Sequence, residues 1–475
     1  MSNLASLQIT PAVSLEEVYK TLKPEPLDTP EQLKAFYREE INQVRGGNKM
    51  QRIQLRLNRA YNDRIPYKAC VMGHRGVGKT TELSRLIQAV KQQFCTIRFS
   101  AVSSLDPGSF KSLDVLLLMM AEIAERTAQP INQGGTGKRP SDRRLQEIWD
   151  WFATEKATRE QAQTATATIE AGAGVKEESL WSKVLGLFAT LKGEIKFAAT
   201  RKQEVVEYRL NRMSSLIEVA NRLLDECNES LRAVQGQQWL FVAEDFDRAG
   251  IPSARIEELF ITYANIFQDL RVHMIFTLPI SLYYSTSAAR LPFASDCSFV
   301  IPDTPMYRPD HTPNELGRAA VREVLAARMD LGLFEPDQLL RVIVTSGGNL
   351  RDLFALVNHA ADSALLRGGK QINAEDVQGA VVTLRSDYER RLGQSPYDRE
   401  EVSYSDKVDL MQRIYNGEKE AQITNPALYS LLNARSVQEF NGQRWFGVHP
   451  LVVDILGAQG HLTPDASGVV LGGSI

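Results

Sequence analysis

The chain of 475 residues contains little cysteine, little histidine and almost no net charge, and each shortage argues against a class of protein. The four cysteines have neither the spacing of zinc-ligand pairs nor that of a disulfide framework, which indicates a reducing compartment. The six histidines form no paired metal-binding motif, so we predict no zinc site. The formal net charge of −3 gives no overall attraction to nucleic acid.

Long apolar runs are also missing. No run approaches the ~18 residues that a membrane-spanning helix needs. The first residues do not show the charged and then apolar pattern of a secretory signal. These two features predict a cytoplasmic protein with no membrane span. The length favours two to four domains.

Residues 73–80 read Gly-His-Arg-Gly-Val-Gly-Lys-Thr and fit the phosphate-binding pattern G-x-x-x-x-G-K-[ST]. Glycines allow the backbone to curl so that its N–H groups point at a phosphate. Lys79 can reach the β- and γ-phosphates of ATP, and the Thr80 hydroxyl can ligate Mg²⁺. The residues that we expect to hold the nucleotide are Gly73, His74, Arg75, Gly76, Val77, Gly78, Lys79, Thr80 and Thr81.

A chance match in a glycine-rich turn is the alternative. The flanking pattern disfavours it, because residues 67–72 have the composition of a short buried strand and residues 81–87 that of a helix. The positive end of that helix would face the phosphates.

A second acidic element follows the apolar residues 239–243, which are typical of a strand buried on both faces. Glu244 and Asp245 come directly after it, where the carboxyl ends of parallel strands bind ligands. We predict that one of these acids holds Mg²⁺ and that the other orients the attacking water. Thr80, Glu244 and Asp245 are thus the predicted metal-site residues. An acidic loop after a core strand, with no catalytic role, is the alternative.

The strings GHRGVGKTTEL and EDFDR resemble those of bacterial P-loop ATPases of the STAND and KAP groups. They are also similar to those of AAA+ ATPases of the origin-recognition type. In these families the acidic string usually begins with Asp, whereas here Glu244 stands first and Asp245 second. The resemblance covers about residues 40–390 without an insertion, and it implies an ATPase with ATP and Mg²⁺ as cofactors.

The resemblance also implies three further catalytic residues. Thr277, near the end of the predicted buried strand over 271–279, matches the polar sensor 1 position that monitors the γ-phosphate or the water. Arg351 matches the sensor 2 arginine of the helical lid, and a solvated residue at a helix start is its alternative. Arg290 lies where such ATPases often carry an arginine finger for a neighbouring subunit, although lone arginines are usually surface residues.

The resulting fold class is α/β, a parallel P-loop NTPase sheet with a helical insertion, a helical lid and a C-terminal winged helix. We expect an N-terminal extended and helical segment over 1–63, of which 31–63 packs near the adenine, and an ATPase core over 64–309. A lid over 310–392 and a winged-helix-like domain over 400–460 complete the division. The winged helix rests on two helical patterns followed by a hairpin signal at Asn441-Gly442.

The insertion, about 130–232, carries two apolar patterns. The first includes Trp181, Val184 and Phe188 and would face a partner, a membrane or, as we prefer, the same chain. The second runs from Val206 to Leu231 with heptad spacing and requires a partner helix. We prefer another helix of the insertion to a coiled coil between subunits.

Two functions of different kinds fit this sequence. The first is an ATP-dependent switch that couples slow hydrolysis to homo-oligomer assembly and to a separate effector protein, in bacterial defence or signalling as the resemblance implies. The second is an initiator-like or transposition-type ATPase that loads on DNA. From residue 400 onward, nine acidic residues outnumber five basic ones, which argues against DNA binding by the tail. In the insertion, the basic residues Lys138, Arg139, Arg143 and Arg144 argue weakly for DNA binding. A structural protein with an inactive site is a third reading.

Overall fold

A computed structural model describes residues 9–162, 179–197, 207, 209–248, 250–393, 401–441 and 445–463. Its core is a five-stranded sheet in the order β2-β3-β4-β1-β5, with every neighbouring pair parallel. The strands are β1 Lys68–Gly73, β2 Phe94–Ser100, β3 Gln238–Glu244, β4 His273–Pro279 and β5 Ser298–Val300. Strand β3 is buried along its whole length, as its continuous apolar run predicts.

The register places the predicted site at one edge of this sheet. Ser100 of β2 is the partner of Glu244 in β3, and Gly73 of β1 is the partner of Pro279 in β4. Because all strands run the same way, the loops after β1, β3 and β4 meet at their carboxyl ends. The P-loop after β1 and this strand order confirm the predicted α/β fold class of a P-loop NTPase.

Helices cover the sheet on both faces. Those of the N-terminal part are α1 Leu15–Thr21, α2 Pro30–Phe36, α3 Glu40–Val44 and α4 Lys49–Asp63. Those that follow β1 and β2 are α5 Lys79–Val90, α6 Ala101–Ser104 and α7 Ser112–Ala128, and those between β3 and β5 are α11 Ser253–Glu257, α12 Asn265–Asp269 and α13 Ile280–Tyr283. The apolar face of α4 packs on α5, so the N-terminal part joins the core rather than standing apart.

The predicted insertion contains α8 Asp142–Ala162, α9 Leu180–Lys196 and α10 Met213–Gln235 in its described residues. Val184 and Phe188 of α9 are buried against the same chain, as preferred from the sequence. The heptad residues Ile217 and Leu224 of α10 are buried against α7 as well as α8. The partner of the heptad pattern is therefore partly a core helix and not only a helix of the insertion. Val206 lies outside the described residues.

The predicted lid comprises α14 Glu315–Ala326, α15 Gln338–Thr345, α16 Leu350–Leu366 and α17 Ala374–Leu392. Helix α16 packs against α17 and against α1, so the N-terminal part also contacts the lid. Asn349 caps α16 by accepting hydrogen bonds from the backbone N–H groups of Arg351 and Asp352. This cap fixes the start of the helix that carries Arg351.

The C-terminal part contains α18 Tyr404–Tyr415, α19 Pro426–Ala434, the antiparallel strands β6 Val437–Phe440 and β7 Trp445–Val448, and α20 Pro450–Ala458. Its assignment as a winged helix stays a prediction. The Glu439 carbonyl accepts a hydrogen bond from the Asp303 backbone, which joins β6 to the segment after β5. In the described ranges, no helix is long and apolar enough to cross a membrane.

Candidate nucleotide-binding site

The P-loop adopts the conformation that its glycines permit. Gly76 and Gly78 have φ angles of +91° and +96°, a region that side chains with a Cβ rarely enter. Among the described residues, the N–H groups of Gly76, Val77 and Gly78 donate no hydrogen bond. Together with the start of α5, these donors form a loop suited to bind a phosphate anion.

Lys79 is held at the centre of this loop. Its ammonium donates to the carbonyl oxygens of Gly73 and His74 at 2.8 and 2.9 Å. It also lies 2.7 Å from a carboxylate oxygen of Asp247. Both charged side chains of this pair are mostly buried, with 7% and 11% exposed. The sequence prediction did not single out Asp247, although it belongs to the acidic string after β3.

The residues at the predicted metal site fit Mg²⁺. Glu244 is buried, one carboxylate oxygen pairs with Arg98, and the other forms no hydrogen bond with any described residue. Burial raises the pKa of Glu244, while Arg98 and the nearby Thr80 hydroxyl act in the opposite direction. An unsatisfied carboxylate oxygen beside a hydroxyl is the hard oxygen donor set that Mg²⁺ prefers. Arg98, the residue that holds Glu244, was also missed from the sequence.

Asp245 is held at the end of β3 by its surroundings. Its backbone N–H donates to the Thr277 hydroxyl at 3.0 Å, and its φ angle is +69°, which is uncommon for a residue with a side chain. Its carboxylate accepts hydrogen bonds from Ser100 at 2.5 Å and from Arg248 at 2.7 Å. Thr277, the predicted sensor 1 residue, therefore contacts the backbone of the acid that we expect to orient water.

The lid brings Arg351 against the P-loop. A Cβ built on Gly76 would stand 2.6 Å from the Cβ of Arg351. The absence of a side chain at Gly76 is therefore what lets Arg351 approach the P-loop backbone. Burial lowers the pKa of Arg351, and the neighbouring Arg435 and Arg248 lower it further. Arg351 forms no ion pair with any residue that the structure describes, and it lines the same cavity as Lys79. From this position, Arg351 could bind a phosphate group held by the P-loop.

Three predicted residues, Gly73, His74 and Arg290, do not line this cavity. Arg290 is exposed on a short 3₁₀ turn, Ala288–Arg290, and does not line the cavity of its own chain. The His74 side chain is buried beneath the P-loop rather than in the cavity, 3.9 Å from Asp303, which is too far for a hydrogen bond. His74 contributes to the site through its carbonyl group alone, which binds Lys79.

A cavity of about 480 Å³ connects these elements, and its outer walls come from parts that the motifs did not predict. One wall is the N-terminal segment, which we define as residues 24–45. Its Leu27 N–H donates to the Thr81 hydroxyl at 3.1 Å, and its Arg45 donates to the Val77 carbonyl at 2.9 Å. The volume is in the usual range of a nucleotide-sized pocket, about 300–1,000 Å³. The expectation that the N-terminal part lies beside the adenine stays a prediction, although this segment lines the cavity.

Comparison with known proteins adds little beyond this geometry. No family model and no curated protein matches the chain. Solved structures that match include Cdc6p from Pyrobaculum aerophilum, with 11% identity, a TM-score of 0.38 and coverage of 94% of this chain and 97% of that one. The Walker-type ATPase PABY2304 of Pyrococcus abyssi matches with 13% identity, a TM-score of 0.39 and coverage of 92% and 99%. The RuvB Holliday junction branch migration motor of Thermotoga maritima matches with 11% identity, a TM-score of 0.35 and coverage of 90% of this chain and 100% of that one. The fold class above and the function below rest on the chain's own strand order and side chains.

Proposed function

We propose that this chain is an ATP-dependent switch in which the C-terminal part responds to the state of the nucleotide site. The observation that carries this proposal is the position of Arg435. This residue follows α19 in the C-terminal part, yet its guanidinium donates to the Arg75 carbonyl of the P-loop at 3.3 Å. The same guanidinium donates to Asp352 of the lid at 3.1 Å.

The ion pair between Arg435 and Asp352 is buried, with 10% and 5% of the side chains exposed. The second carboxylate oxygen of Asp352 accepts a hydrogen bond from the Tyr388 hydroxyl at 2.7 Å. Burial opposes the charge on Asp352, but Arg435 and the other neighbours hold its pKa below the ordinary value. Breaking one side of such a pair leaves a buried charge uncompensated, at a cost of about 3–5 kcal/mol. The C-terminal part is thus firmly connected to the residue that follows Arg351.

Other contacts support docking of the C-terminal part on its own ATPase core. Ser281, after β4, donates to Asn433 at 2.6 Å, and Arg385 of the lid pairs with Asp454 at 2.9 Å. A change at the P-loop or in the lid would therefore move atoms that the C-terminal part contacts. A switch needs such contacts between the C-terminal part and the nucleotide site, because a ligand shifts an equilibrium only through contacts that differ between two states.

The site residues also suggest how ATP is turned over. The P-loop N–H groups and Lys79 bind the phosphates, and Thr80 with Glu244 would hold Mg²⁺, which neutralises charge that develops on the phosphoryl oxygens. Asp245 orients the attacking water. Because Ser100 and Arg248 already bind the Asp245 carboxylate, we expect slow hydrolysis. Arg290 is exposed, so we propose that a neighbouring copy receives it in a homo-oligomer, and that a separate effector protein reads the assembled state.

The test compares Arg435→Gln with the parent and with Arg413→Gln, a variant of an arginine elsewhere in the C-terminal part that pairs with Glu418. Steady-state ATP hydrolysis and molecular mass with and without ATP are measured. We expect Arg435→Gln to hydrolyse ATP faster, or to assemble without ATP, and Arg413→Gln to behave like the parent. Parental rate and mass in the Arg435 variant would refute coupling through this contact.

The DNA-loading alternative has less support in the described residues. Arg139 pairs with Asp142, Arg143 pairs with Glu147, and Arg144 pairs with Glu147 and Glu226. Of the basic residues that favoured DNA, three therefore have acidic partners within the chain. Binding to DNA phosphates needs Lys and Arg side chains that are not already paired with acids, and this surface has few of them.

A further inference from the structure

The wall of the cavity includes a group of apolar side chains around one buried cation. Phe36 of α2, Val324 of α14 and Phe354 of α16 line it, and all three side chains are buried. Arg328, just beyond α14, lies among them with 6% of the residue exposed. If a nucleotide places its phosphates on the P-loop, we expect its base to contact this part of the wall.

The Arg328 guanidinium is held between two aromatic rings. Its central carbon lies 4.8 Å from the centre of the Phe36 ring and 5.1 Å from that of Phe354. One terminal nitrogen donates to the Phe36 carbonyl at 3.0 Å and to the Val324 carbonyl at 3.5 Å. These contacts fix the plane and the direction of the group.

The remaining donors of Arg328 lack partners. Its Nε–H is buried without a hydrogen bond, and no acidic side chain in the described part of the chain forms an ion pair with it. Burial and the nearby Arg38 together lower the pKa of Arg328 to about 9, so the group is still charged at neutral pH. A buried charge without a partner is costly unless a ligand supplies acceptors.

We propose that Arg328 reads the base of the bound nucleotide and that the pocket accepts guanine as well as adenine. This inference rests on the proposed nucleotide site. A guanidinium has donors only. The edge of guanine that carries O6 and N7 presents two acceptors, which is the arrangement that arginine binds with two hydrogen bonds. The same edge of adenine presents N7 beside an amino group, and that amino group is itself a donor.

The experiment measures displacement of a fluorescent ATP analogue by unlabelled ATP and GTP with Mg²⁺, for the full chain and its variants. In the parent, we expect GTP to bind within about tenfold of ATP, a difference of about 1.4 kcal/mol. Arg328→Met keeps an unbranched apolar side chain at this site. It should weaken the binding of GTP about 5- to 150-fold, the contribution of one bidentate contact, and the binding of ATP much less. Arg322→Met, an exposed arginine of α14, is the matched control and should change neither affinity.

A second measurement needs no variant. The 7-deaza analogue of GTP lacks the N7 acceptor, so the parent should bind it more weakly than GTP. The proposal is overturned if GTP binds the parent more than about 100-fold more weakly than ATP. Equal loss of ATP and GTP in Arg328→Met, or equal binding of GTP and its 7-deaza analogue, also overturns it. If neither ATP nor GTP binds the parent, the nucleotide site itself is refuted, and that failure is distinct because it precedes any choice of base.

Discussion

The ammonium group of Lys79 lies 2.7 Å from a carboxylate oxygen of Asp247, and the two carbonyl oxygens of Gly73 and His74 complete its hydrogen bonds. Asp247 therefore occupies the position on Lys79 that the β- and γ-phosphates would take. Burial opposes its charge, but Lys79 and Arg75 hold the pKa of Asp247 below the ordinary value. The carboxylate is ionised at neutral pH, so we expect it to compete with the nucleotide.

The first prediction concerns this competition. Asp247→Asn removes the negative charge but keeps the shape, so we expect ATP to bind about tenfold more tightly, a gain of about 1.4 kcal/mol. Isothermal titration of ATP into parent and variant measures the change. Glu229→Gln, an exposed acid of α10, is the control and should leave the affinity unchanged. Weaker binding in Asp247→Asn would mean that this carboxylate supports the nucleotide instead of opposing it.

The second prediction concerns Lys79. Lys79→Ala removes the central cation of the loop, so ATP binding should be abolished while the fold survives. The same change leaves Asp247 buried without its main partner, which should lower the melting temperature. Adding Asp247→Asn to the variant should restore the melting temperature but not ATP binding, because only the stability defect comes from the unpaired carboxylate. Parental ATP affinity in Lys79→Ala would contradict the site assignment.

The third prediction separates the two acids after β3. Asp245→Asn should bind ATP like the parent but lose turnover, because the carboxylate that orients water is gone. Glu244→Gln should raise the Mg²⁺ concentration needed for half-maximal turnover, because an uncharged amide holds the metal less well. Titrations of MgCl₂ at saturating ATP distinguish the two defects. Parental hydrolysis in both variants would show that this strand end is not catalytic.

The fourth prediction concerns pH and His74. Burial, with Arg435 and Lys79, lowers the pKa of His74 to about 3, whereas an unfolded histidine has a pKa near 6.5. Between these values the unfolded chain binds a proton that the folded chain does not. The contribution of His74 to stability is therefore complete above about pH 6.5 and is lost as the pH falls.

Urea unfolding from pH 7 to 5 tests this sign. Relative to His74→Gln, the parent should lose up to about 1.4 kcal/mol more of its unfolding free energy for each pH unit below about 6. Burial raises the pKa of Asp303 to about 6, which gives an opposite trend that is common to both proteins. His461→Gln, a change at an exposed position, is the control. Equal pH slopes in parent and His74→Gln would contradict a buried neutral histidine.

The fifth prediction concerns DNA. The tail is acidic, and Arg139, Arg143 and Arg144 of the insertion are paired with acids, so the full chain should show no salt-sensitive binding to duplex DNA. Fluorescence anisotropy between 50 and 200 mM salt, with and without ATP, measures it. Tight binding that weakens by orders of magnitude over about this range would favour the DNA-loading alternative.

Local pattern was enough to predict the centre of the site. The P-loop between β1 and α5, the acids after β3 and the polar Thr277 at the end of β4 are each set by a few neighbouring residues. The lid helices could be predicted for the same reason, since their apolar spacing and caps are local. The P-loop, the two acids and Thr277 follow or end parallel strands. Parallel strands bring their carboxyl ends together, however long the sequence between them is.

Only the tertiary structure placed Asp247 on Lys79, Arg328 between two aromatic rings in the cavity wall and Arg435 on the P-loop. Arg435 and Arg75 are 360 positions apart, and Arg98 and Glu244 are 146 apart. No spacing rule connects such residues, because their meeting depends on how whole helices pack over the sheet. An isolated arginine or aspartate in a sequence looks like a surface residue, and only its burial in the folded chain distinguishes it. The sequence by itself therefore determined the fold class and the loop that we expect to bind phosphate. Packing between residues that are far apart in the sequence decided which charged side chains surround that loop.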